Sequence, residues 1–223
     1  MQYFSKDFNE FFKELAANNH KDWFDENRTR YKNTVKEPFE NFIADLVQEL
    51  SKYDADLKGV DPKKTIFRIN RDIRFSKDKS PYKLNRSAAI SKGGKKDRAG
   101  AGIYVQLGPE MVALAGGAYE MHKEQLMQLR NYIANNQKNF RKAIESKEFK
   151  DHYGEVRGEE NKRLPNKELT EAAEKEPLIY KKQMYYWAEL SPDLVHSDDL
   201  MPTVVQYFKA AKPVRDFLRK ALS

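Results

Sequence analysis

The sequence predicts an α+β protein, with an antiparallel sheet of about four to six strands covered by helices from both ends of the chain. Three observations carry that expectation. Apolar residues recur at helical spacing through the first fifty positions and again beyond residue 123. From Ile66 to Phe75 the period changes to two, the spacing of a half-buried strand. The connections between successive expected strands are short, as at Leu107-Gly108-Pro109-Glu110, which favours antiparallel pairing.

Taken in order, Phe8, Phe11, Phe12 and Leu15 form one stripe of a helix over 5–17, with Ser5 as its expected N-cap. After Asn18-Asn19 a second helix carries Trp23, Phe24, Asn27, Tyr31 and Val35, and Pro38 marks a start or a kink. The next stripe is Phe39, Phe42, Ile43, Leu46, Val47 and Leu50. In the run from Ile66 to Phe75, apolar Phe67, Ile69, Ile73 and Phe75 alternate with polar Arg68, Asn70, Asp72 and Arg74, so a strand is expected there. Further strands are expected over 87–91, 100–107, 111–118 and 183–190. Helices return with Leu126, Leu129 and Ile133, then Phe140, Ala143 and Ile144; residues 154–177 read as a long loop with some local structure. Leu200, Val204 and Phe208 precede a break at Pro213, and Val214, Phe217, Leu218 and Leu222 close the chain. Repeats and credible domain boundaries are missing, so residues 1–223 are expected to form one domain.

Composition narrows the function classes. The chain has no cysteine, which removes thiolate zinc sites and cysteine nucleophiles and suits a reducing compartment. An uninterrupted apolar leader or span is not found, so a soluble cytoplasmic protein without membrane contact is expected. Net charge is +7, but residues 61–98 hold thirteen lysines and arginines against four aspartates, a local +9. The remainder is slightly acidic, and a local excess of this kind marks a candidate anion-binding segment.

Within it the candidate anion-binding residues are Arg68, Arg71, Arg74, Lys77, Lys79 and Lys83. Strict alternation puts Arg71 on the apolar side, where a guanidinium must be turned out by a bulge, paired with a carboxylate such as Asp72 or Asp78, or open to a ligand pocket. Arg68 and Arg74 suit either a polyanion tracked along the strand or a ladder of ion pairs. The loop SKDKSPYK offers lysines and hydroxyls to phosphate, or is an ordinary solvated hairpin. Tyr82 is a candidate for stacking on a ring; Trp23 is a second, although its spacing suits a core position better.

SKGGKKDRAGAG (91–102) fails as a phosphate loop, because Lys96 stands where Ser or Thr is needed and the glycine five residues earlier is missing. The four histidines are scattered without metal-ligand spacing, and no metal or cofactor is expected. Asp72, Asp78 and His122 are the candidate acid–base groups, although an aspartate between cations is held ionised and makes a poor base.

The central run FRINRDIRFSKDKSPYK, together with NNHKDWFDENRTRY, resembles a bacterial family known as domain of unknown function 2461. The resemblance runs nearly end to end and includes Gly116-Gly117 and the closing helix. It implies a shared fold and lends no catalytic role to any residue. Three functions are therefore expected in order: a module binding RNA or single-stranded nucleic acid, an enzyme on a small phosphorylated or carboxylated substrate held by Arg71, and a protein-interaction scaffold presenting Tyr185, Tyr186 and Trp187.

Overall fold

The computed structural model describes residues 2–97, 99 and 102–223. Phe8, Phe11, Phe12 and Leu15 share one face of α1 (Asp7–Ala17) and are buried, as their spacing requires. Its N-cap position is Lys6, one residue beyond the expected Ser5. Helix α2 (Lys21–Glu26) is capped by His20, whose ring accepts the Trp23 amide. A single turn, α3 (Arg28–Arg30), runs into a π-helical turn over Tyr31–Lys36 and then into α4 (Glu37–Leu50). Pro38 explains the wide turn. Proline lacks an amide hydrogen and crowds the carbonyl four residues back, so the preceding turn relaxes to longer spacing.

After α5 (Pro62–Thr65), capped by Asp61, the chain departs from expectation. The segment 66–75 is not a strand of the sheet. It is one arm of an irregular hairpin tied by isolated bridges, Ile66 to Ala88 and Asn70 to Tyr82. Ile66 and Ile69 are buried, while Phe75 is 95% exposed, so the alternation does not follow one face. The cause is local. Asp72 and Asp78 accept the amides of Arg74 and Ser80, and Pro81 has no amide to offer, so side chains and turn replace the ladder.

The sheet consists of β1 (Arg86–Ile90), β2 (Ile103–Leu107), β3 (Val112–Ala118) and β4 (Met184–Leu190), antiparallel and in chain order. Gly100 and Ala101, placed by the sequence in the second strand, lie outside the described residues. Register sorts the side chains into two faces. Ala88, Val105, Leu114 and Ala188 lie side by side on one; Ala89, Tyr104, Ala115 and Trp187 lie side by side on the other.

Both apolar cores use the first face. Helices α1, α2, α4 and α10 (Leu200–Ala210) bury Val105 and Leu114. The second core buries Met184, Tyr186 and Ala188 under α6 (Lys123–Asn135), α7 (Gln137–Ile144), α8 (Lys147–Tyr153), α9 (Lys167–Lys175) and α11 (Lys212–Leu222). Helix α9 lies inside the stretch read as loop; Asn166 caps it, and Leu169 and Ala173 are its buried stripe. The two ends of the chain are joined by buried Asp54, which accepts from Arg219 (2.7 Å) and lies 3.4 Å from the Arg215 guanidinium. Burial pushes this carboxyl up, but hydrogen bonds and charge from Arg219 outweigh it, and its pKa ends lowered. Among the described residues, no helix is long and apolar enough to cross a membrane.

Candidate functional site: an aromatic slot on the open sheet face

The second face of the sheet belongs to neither core, and a slot of about 540 Å³ lies on it. Its wall follows from the register. Tyr104 and Trp187 flank Ala115, whose methyl leaves the two rings room to lean together, 6.0 Å apart and 27° from parallel. Phe67, carried by the irregular hairpin, continues the ribbon at 6.2 Å from Tyr104. Tyr119 and Tyr185 meet edge to face at 5.3 Å and also line the slot.

Gly102, Gly116 and Gly117 line the slot beside this ribbon and present backbone instead of side chains. Gly117 has φ +101°, and a Cβ there would stand 2.3 Å from the Met184 carbonyl, so only glycine fits.

Polar groups punctuate the wall. Trp187 donates its indole N–H to Glu189 (2.9 Å), which fixes the ring. The Tyr104 hydroxyl donates to Gln106 (2.9 Å); burial pushes its pKa up, partly offset by a hydrogen bond with Ser87. Two cations line the slot. Lys95 donates to the Ile66 carbonyl (2.7 Å), and Arg157 exchanges backbone hydrogen bonds with Tyr185. A second depression, of about 550 Å³, is lined by Arg68, Lys96 and Glu120 and shares Phe67 and Lys95 with the slot. The aromatic wall thus runs directly into a basic trough.

The residues singled out in the sequence separate into three groups. Arg68 lies in the trough, and Lys83 stands over the Phe67 ring at 5.3 Å. Arg71, Arg74, Lys77 and Lys79 belong instead to the hairpin tip. There Arg71 pairs with Asp78 and donates to the Ser80 carbonyl, so of its three readings the carboxylate partner is the one realised. Arg74 makes two side-chain hydrogen bonds to Asp72, and Lys79 donates to the Ile73 carbonyl. The Asp72 carboxyl is held down at about 2 by Arg74. That of Asp78 is held at about 2 by the Ser80 hydroxyl and amide and by Arg71.

The third group is occupied with packing or capping. Tyr82 is 6% exposed, with its ring stacked 4.0 Å from Phe24, so its faces are taken by the protein. Trp23 packs on Phe11. His122 sits at the N-cap of α6, where Gln125 accepts its amide, and lines no part of the slot. Arg98 lies outside the described residues, and among those described no three His, Asp or Glu side chains gather to hold a metal.

A family model described as conserved hypothetical protein (DUF2461) matches residues 7–217. The chain belongs to this family. The DUF2461 match runs from the first residue of α1 into α11, so the slot lies within it. No curated protein and no solved structure matches the chain. The DUF2461 description assigns no activity, and the site stands on its own geometry.

Sequence reasoning missed Tyr104, Tyr119, Lys95 and Arg157 as site residues. A signal for part of it was present: the period-two run from Met184 to Leu190 puts Tyr185 and Trp187 on the face opposite Tyr186. Which face the helices would cover was not written in that run.

Proposed function

We propose that the protein binds single-stranded nucleic acid, RNA first, with bases in the aromatic slot and phosphates along Arg68, Lys95 and Lys96. One observation carries this reading: the ribbon Phe67–Tyr104–Trp187 opens, through Phe67 and Lys95, into the basic trough. Every base has a π face, and stacking one on a protein ring is worth about 1–3 kcal/mol without regard to its identity. Single-stranded RNA is commonly read by aromatics on a four-stranded antiparallel sheet, a parallel of chemistry and not of ancestry. The volume also falls in the range of ligand pockets, about 300–1,000 Å³.

Other features favour binding over catalysis. Asp72 and Asp78 stay ionised by virtue of their partners and do not line the slot. Glu189, which does, accepts the Trp187 indole. Arg71 is engaged with Asp78 and Ser80, which weakens its role as the holder of a small anionic substrate. Tyr186 is buried, so Tyr185 and Trp187 do not form a continuous docking patch with it.

The test is a fluorescence-anisotropy titration of 12-mer RNA and DNA, single- and double-stranded, at low and physiological salt. Tyr104→Ala and the double variant Arg68→Ala, Lys96→Ala run beside the wild type. Single strands should bind best, with log K falling about 0.7 per phosphate contact for each tenfold rise in salt. Binding that ignores salt, or that Tyr104→Ala leaves intact, overturns the reading.

A further inference from the structure

The most exposed large apolar side chain of the described residues is not in the slot. Phe75 is 95% exposed, against 52% for Tyr119 and 41% for Tyr53. It sits at the tip of the 71–80 hairpin, and that tip is built. Arg71 reaches across to Asp78 and the Ser80 carbonyl, Asp78 accepts the Ser80 amide and hydroxyl, and Lys79 ties to the Ile73 carbonyl. Arg74 is held by Asp72 and lies over the Phe75 ring at 5.8 Å. Arg71 and Arg74 are thus matched by carboxylates, while Lys77 and Lys79 add positive charge to the same tip. A loop stapled by so many of its own polar groups holds out a solvent-exposed ring with Arg74 over it.

We propose that this tip is a second contact for the same single strand, with Phe75 stacking on one of its bases and Lys77 and Lys79 meeting the neighbouring phosphates. The inference rests on the slot reading and extends it. Continuity is the argument: Phe67 in the slot wall and Phe75 at the tip belong to one chain segment, eight residues apart. Extended chain spans at most about 29 Å over that length. A stacked strand rising about 3.4 Å per nucleotide covers it in at most about nine nucleotides. An anionic membrane is the less suitable partner, because interfacial anchoring needs a broad apolar face and the tip offers one fully exposed ring.

The experiment is affinity against RNA length, from a dinucleotide through 4-, 8- and 12-mers, for wild type, Phe75→Ala, Phe75→Trp and Tyr104→Ala. Phosphatidylserine vesicles form a separate arm. Wild-type affinity should climb between the dinucleotide and the 12-mer. Phe75→Ala should lose about tenfold on the 12-mer and nothing on the dinucleotide, with Phe75→Trp retaining the gain. The melting temperature of Phe75→Ala should match wild type, since the ring supports no core. If Phe75→Ala equals wild type at every length while Tyr104→Ala loses binding, the tip contact is wrong and the slot stands. If wild type binds no RNA of any length, both fail; vesicle binding removed by Phe75→Ala would then assign the tip to anionic lipid.

Discussion

The two faces of the sheet are made by the same four strands, yet they do opposite work. On the covered face, Val105 and Leu114 are fully enclosed in the core formed by α1, α2, α4 and α10, and Tyr186 in the core formed by α6 to α9 and α11. On the open face, Tyr104, Tyr185 and Trp187 are half-buried, mostly by one another and by the hairpin that brings Phe67. Apolar area removed from water stabilises the fold on the first face; on the second it is partly left for a ligand. Large aromatics on an antiparallel strand therefore do not of themselves mean core.

Substitutions should separate the faces, beginning with the largest effect. Leu114→Ala removes a fully buried side chain from the covered face and should cost about 2–5 kcal/mol of stability. In a thermal melt each kcal/mol lowers Tm by about 2–4 °C for a chain of this size. Tyr104→Ala on the open face should do the reverse: a smaller drop in Tm, but about 1–3 kcal/mol lost from RNA binding. If the two variants melt alike, the distinction between the faces collapses.

Glu189→Ala is subtler. It frees the Trp187 indole without touching its ring and should weaken binding by about 1 kcal/mol, the usual net worth of one hydrogen bond. Retained binding by Glu189→Gln, which keeps an acceptor, would show that the hydrogen bond and not the charge matters. Finally, pH should act on the hairpin tip. The carboxyls of Asp72 and Asp78 lie at about 2 when folded. In the unfolded chain they return to about 3.9. Their contribution is therefore whole above about pH 4 and is lost as pH falls through about 2. The Ser80 and Arg74 amide resonances should titrate with midpoints near 2. A midpoint near 4 would mean that the staples do not hold in solution.

The helices and the sheet were largely legible in the amino-acid order. Phe8, Phe11, Phe12 and Leu15 advertise their period because burial of one side selects for it. The local charge excess in 61–98 was legible as well, but its meaning was not. Arg71, Arg74, Asp72 and Asp78 look like a binding strip in sequence and become the staples of a hairpin in space. Arg86, counted in the same excess, is buried instead, with its guanidinium over Phe39 and donating to the Phe67 carbonyl. Period two states which residues share a face of a strand, and it is silent on which face the helices will cover. That choice depends on contacts between residues far apart in the chain. It leaves Tyr104, Trp187 and Phe67 facing one slot, brought from three separate segments by pairing and not by any local pattern.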